Sequence, residues 1–146
     1  MRRTVRASAT ILAPAEALFE CLADYKRAEV FIEGLEELTP SGPQTTGEGA
    51  RFEAVLHVGP RVLRTTIIIA SLVAGRAITW SSVGADRQSL VFELAQTDDE
   101  TAVSLEISYE EPGGVAGALL APFVRQTVER RANTALKRLG KQVSAS

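Results

Sequence analysis

The chain has 146 residues, 45% of them hydrophobic, and a formal net charge of -2 at pH 7, which suits one domain over residues 1–146 with a real core. That charge argues against a nucleic-acid binder, which neutralises phosphates with a basic surface. A single cysteine, Cys21, excludes an internal disulfide, and a single histidine, His57, excludes by count a metal site rich in either residue.

Taken in chain order, Val5, Ala7, Ala9 and Ile11 alternate with Arg6, Ser8 and Thr10, the period of a half-buried strand. Pro14 suits a first helical turn, and Leu18, Cys21 and Leu22 make an apolar stripe, so residues 14–24 read as a helix. Cys21 is expected to be a small buried thiol rather than a reactive one. Residues 25–32 are ambiguous, with a second short helix favoured. Leu35 to Thr39 reads as a short strand, and the Gly, Pro and Thr content of residues 41–49 reads as turns.

Five strands follow, with hairpins that can be counted. A two-residue loop at Gly59-Pro60 pairs Val58 with Arg61, Leu56 with Leu63 and Ala54 with Thr65. That register turns Phe52, Ala54, Leu56, Leu63, Thr65, Ile67 and Ile69 inward and Arg64 outward, which is also the more apolar choice. A turn at residues 74–76 leads to Ile78, Trp80 and Ser82 on the inner face, and residues 83–86 read as a loop. A turn over residues 97–100 then pairs Leu94 with Val103, Phe92 with Leu105 and Leu90 with Ile107, with Tyr109 next on the same face. After residues 111–114 the period becomes helical, from Leu119 to Val143, and Pro122 is expected either to kink this helix or to mark a restart.

The order is therefore strand, two helices, six strands and a long helix: an α+β fold with a curved antiparallel seven-stranded sheet wrapped on a C-terminal helix. The N-terminal residues run straight into the alternating pattern, and the apolar run Val115–Val124 is broken by Gly117 and Pro122 and too short to span a bilayer. A soluble, cytoplasmic protein is expected. Beyond Phe123, Arg125, Arg130, Arg131, Lys137, Arg138 and Lys141 face a single acid, Glu129, and read as a solvated helix face.

Little on the inner face can do chemistry. It carries no carboxylate, histidine, lysine or arginine, so Tyr109 and Thr65 remain as weak catalytic candidates. Ser81-Ser82 lacks a nucleophile-elbow context, and the glycines at 113, 114 and 117 read as a flexible helix entry rather than an anion site. No cofactor and no metal are implied.

Several stretches resemble the START-like, or SRPBCC, superfamily with its helix-grip fold. They are Ile11-Leu12-Ala13-Pro14 followed by Leu18 to Asp24, Ile78-Thr79-Trp80, Glu100 to Val103, and Tyr109 to Gly114 before a helix ending Leu136-Lys137-Arg138-Leu139. The resemblance covers residues 5–139 and looks closest to the polyketide cyclase/dehydrase branch, which includes coenzyme Q-binding START-like proteins. Val30 and Phe31 stand where relatives often carry a tryptophan near the pocket entrance. The resemblance implies a ligand held between sheet and helix. Phe31, Phe52, Leu56, Thr65, Ile67, Ile78, Trp80, Ser82, Leu90, Phe92, Leu105 and Tyr109 are the candidates on its walls. Leu119, Leu120 and Phe123 are expected to cover its end.

Three functions compete. The first is a carrier of a small hydrophobic molecule such as a lipid, quinone or polyketide, working as a monomer or homodimer with at most peripheral membrane contact. The second is a polyketide cyclase or dehydratase that acts mainly by shaping its substrate. The third is a membrane-peripheral module using Val115–Val124 and the basic helix. An elongated cavity of several hundred Å³ would separate a carrier from an inert core. The absence of acid–base groups favours a binder.

Overall fold

The computed structural model describes residues 2–84, 88–111 and 113–144. The strands are β1 (Arg2–Ile11), β2 (Leu35–Pro40), β3 (Arg51–Val58), β4 (Arg61–Val73), β5 (Ala77–Val83), β6 (Ser89–Thr97) and β7 (Glu100–Glu110). The helices are α1 (Ala15–Ala23), the short α2 (Ala28–Phe31) entered through a 3-10 turn at Tyr25–Arg27, and α3 (Gly114–Ser144). The strands form one antiparallel seven-stranded sheet in the order β1-β7-β6-β5-β4-β3-β2, as the alternation and hairpins predict.

The registers are those counted from the loops. Val58 faces Arg61, Leu56 faces Leu63 and Ala54 faces Thr65 across the first hairpin. Gly59 takes a φ of +60°, which a tight two-residue loop requires and glycine adopts without a Cβ clash. Leu94, Phe92 and Leu90 face Val103, Leu105 and Ile107. Arg64 is exposed and points away from the core, as expected. Two bulges depart from the simple alternation, one between Leu35 and Glu37 and one between Ile69 and Ser71. The second inserts Ala70, so Leu72 rather than Ser71 returns to the side of Ile78.

Pro14 lies just before α1 with extended backbone, not inside its first turn. It has no capping side chain, and the Ala15 N–H instead donates to Gln96 Oε1 on β6 at 2.8 Å. The buried Thr101 hydroxyl donates to the Ala13 carbonyl at 2.7 Å, tying β7 to the β1–α1 corner. Leu18, Cys21 and Leu22 face inward, and burial pushes the Cys21 thiol pKa up.

Pro122 sits inside one continuous α3 and marks no restart. Its missing N–H leaves the Ala118 carbonyl without an intrahelical donor, and Ala118 lies on an exposed turn where water can serve. Farther along α3, Ala132, Ala135, Leu136 and Leu139 are buried against the core. The expected loop over residues 83–86 and the turn over 111–114 lie partly outside the described residues. No described helix is long and apolar enough to cross a membrane.

Candidate functional site

A cavity opens between the concave sheet and the α1–α2 region. Leu22 comes from α1, Ala28 and Phe31 from α2, and Ile32 follows them. Leu35 and Leu38 of β2, Ala54 and Leu56 of β3, Ile67 of β4, Trp80 of β5, and Leu90 and Phe92 of β6 make the sheet wall. These strands deliver side chains to one wall because residues of one parity share a sheet face. Phe31 meets Phe92 edge-on at 6.3 Å, which fixes the roof against the floor. Trp80 is backed by Phe52 at 5.5 Å, and Phe52 by Tyr25 at 5.2 Å.

The cavity has a volume of about 80 Å³, and about 630 Å³ when the open solvent at its mouth is counted. The elongated cavity of several hundred Å³ that would mark a carrier is reached only when the open mouth is counted. The cavity itself is smaller than the ~150 Å³ engineered cavity that takes up benzene. The reason is local: the α2 side chains Phe31 and Ala28 sit down onto the sheet and fill the deep end.

The few polar residues at the cavity are Ser81, Ser82 and Gln88, which present little polar surface to it. The Ser82 hydroxyl accepts the Gln88 backbone N–H at 2.7 Å, and the Ser82 N–H donates to the Gln88 carbonyl at 2.8 Å. Ser82 thus fastens the β5–β6 connection and keeps its own hydroxyl proton to offer. Among the described residues that line the cavity, none is charged.

The sequence-predicted candidates separate into groups. Phe31, Leu56, Ile67, Trp80, Ser82, Leu90 and Phe92 meet at the cavity. Phe52, Ile78 and Leu105 are fully buried and pack in the core, and Thr65 is buried beside Ala54, so none of these reaches the lining. Leu119, Leu120 and Phe123 do not cover the cavity; they are exposed on α3. At this level α3 turns the small, buried Gly117 and the part-buried Ala121 and Val124 inward, which leaves the larger side chains on the far side.

Tyr109 is buried off the cavity wall, and its hydroxyl makes no well-formed hydrogen bond among the described residues, although Arg125 is close enough to act on it. It faces Arg3 across the β1–β7 ladder, beside Glu111. Glu111 is held by Arg3 and lies 3.5 Å from Arg125. Burial, then the Glu111 charge, push the Tyr109 pKa up against the opposing pull of Arg125 and Arg3. The Arg3 hydrogen bond leads the lowering of the Glu111 pKa.

Sequence reading missed six lining residues, Leu22, Ala28, Leu35, Leu38, Ser81 and Gln88, and misread Arg131 as solvated. Arg131 is half-buried, donates to the His57 carbonyl and lies flat against Gly34, so that a Cβ at Gly34 would come within 2.6 Å of Arg131 Cζ. The signal was its spacing from Val128 and Ala135, which share the core-facing stripe of α3. His57 is partly exposed, and its Nε2 sits 2.5 Å from Glu36 Oε2.

No group of residues able to hold a metal occurs among the described residues. No curated protein matches the sequence. Among solved structures, TTHA0849 from Thermus thermophilus superposes with a TM-score of 0.84 at 21% identity, covering 98% of each chain. The Zhui aromatase/cyclase from a Streptomyces species superposes at 0.82 with 18% identity, covering 99% of this chain and 94% of its own. Ara h 8.0201 gives 0.73 at 13% identity over 100% of both chains. These likenesses establish the fold, and the model of one family, described as polyketide cyclase / dehydrase and lipid transport, matches residues 2–144. The chain belongs to that family.

Proposed function

We propose that this protein binds and carries a small hydrophobic molecule in the cavity between the sheet and the α1–α2 region. The observation that carries the reading is the chemistry of the lining: aliphatic and aromatic side chains throughout, no charged one among the described residues, and few polar groups. Such a site rewards burial of an apolar body and orients one oxygen-bearing end toward Ser81, Ser82 and Gln88. The cavity's own volume takes only the end of a chain, and the rest of a ligand extends through the mouth. The family, which includes polyketide and lipid-handling proteins by its description, agrees with this class of ligand.

Trp80 is the only tryptophan and lines the cavity, so its emission reports on the site directly. Titration with a naphthoquinone should quench Trp80 in a saturable way, and solvent extraction of purified protein should release an apolar molecule. An unquenched Trp80 together with an empty extract would overturn the reading.

Cyclase or dehydratase chemistry is the second reading, favoured by the family's description; its proton donor would be Tyr109, which lies off the cavity wall, so a substrate has to open a path to that hydroxyl. Tyr109→Phe decides it: turnover of a poly-ketone that survives the substitution removes this reading.

A further inference from the structure

The outer face of α3 carries a pattern that the cavity does not use. Val115, Leu119, Leu120 and Phe123 are 83%, 72%, 49% and 67% exposed, a concentration of large apolar side chains unusual for a water-facing helix. Successive helical residues advance about 100°, so these four fall within an arc of about 140°. Arg130, Lys137, Arg138 and Lys141, all exposed, fall within the same arc farther along. Glu129, the single acid of this stretch, lies outside it. The opposite face holds Val128, Ala132, Ala135 and Leu139 against the core. One uninterrupted helix therefore shows the solvent an apolar first segment and a cationic second one.

We propose that this face docks the protein on an anionic lipid bilayer. The apolar side chains of residues 114–123 lie along about 15 Å of one helix face, which suits a helix resting on its side at the boundary between headgroups and acyl chains. Arg130 follows about 10 Å along the axis from Phe123, with Lys137 and Lys141 farther on the same side, so a helix lying along the surface brings each cation to the headgroup phosphates. Charge complementarity selects the occupant: a bilayer with anionic headgroups offers an apolar interior to the first segment and negative charge to the second. Arg130 is itself exposed and stands 3.6 Å from the part-buried Glu33, so its guanidinium can meet lipid phosphate from the solvent side of that pair. Docking by this face leaves the cavity residues untouched and is independent of the ligand they hold.

The test is flotation of the full chain with vesicles of phosphatidylcholine alone and of phosphatidylcholine with phosphatidylglycerol. Binding should be at least tenfold stronger to the anionic vesicles and should weaken as salt is raised. Leu119→Ser with Phe123→Ser should abolish it, and Lys137→Glu should weaken it about fivefold or more. Circular dichroism and Trp80 quenching should be unchanged in both variants, because the substituted side chains are exposed and away from the cavity. Absence of binding, or equal binding to both vesicles with no effect of Lys137→Glu, overturns the proposal. So does a dimer in sedimentation that Phe123→Ser dissociates, which would assign the apolar segment to a second copy of the chain.

Discussion

Ala54→Leu would fill the cavity from its floor. Ala54 is buried on β3, faces Thr65 on one side and Leu38 on the other, and contributes to the lining. Leucine adds three carbons, which at ~0.8 kcal/mol per buried methylene contribute ~2.4 kcal/mol. Overpacking against Phe31, Trp80 and Phe92 costs ~1–3 kcal/mol, so stability should stay within ~1.5 kcal/mol of the parent. Ligand affinity should not. The cavity volume of about 80 Å³ has no room for both the isobutyl group and an apolar ligand, and quench titrations should show binding weakened at least thirtyfold. Urea unfolding supplies the stability and Trp80 emission the affinity, on the same samples. A variant as stable as the parent that binds with unchanged affinity would refute the assignment of this cavity as the ligand site.

Gly34→Ala should destabilise by ~2–3 kcal/mol in urea melts, because a φ of +89° disfavours any side chain and its Cβ meets the Arg131 guanidinium. Pairing it with Arg131→Ala should recover the part due to the clash, measured as a double-mutant cycle. Since burial raises the Tyr109 pKa above its unfolded value, its contribution to stability is full below about pH 10 and is lost as pH rises through the folded value. Tyr109→Phe should therefore flatten the alkaline fall of the melting temperature. The buried Cys21 thiol should react with a disulfide reagent only as fast as the protein unfolds, and rapid labelling of native protein would show the α1 packing to be loose.

The hairpins were legible in the sequence because a two-residue loop leaves one pairing, and burial of Leu56 with Leu63 or Phe92 with Leu105 repeats the same answer. The bulges were not. Ala70 and Glu36 carry no side-chain mark of an unpaired strand position, and only the partner strand reveals them. On α3, hydrophobicity pointed the wrong way: Leu119, Leu120 and Phe123 were expected inward, while the helix packs there through Gly117, Ala121 and Val124. The sheet wall around Trp80 and Phe92 followed from strand parity, whereas Ala28 and Leu38 joined the cavity through the placement of α2 and β2, which no local pattern specifies.

The contact between Gly34 and Arg131 also orders how the chain can drift over evolutionary time. Position 34 cannot acquire a side chain while the guanidinium occupies the space above it, so a change at 131 has to come first. Even then the backbone at 34 favours asparagine over a branched residue. Arg131, by contrast, can shorten at any time without harming Gly34. Among descendants of this sequence, glycine with a shortened 131 is permitted, and a Cβ at 34 beneath an intact arginine is the combination that selection should remove.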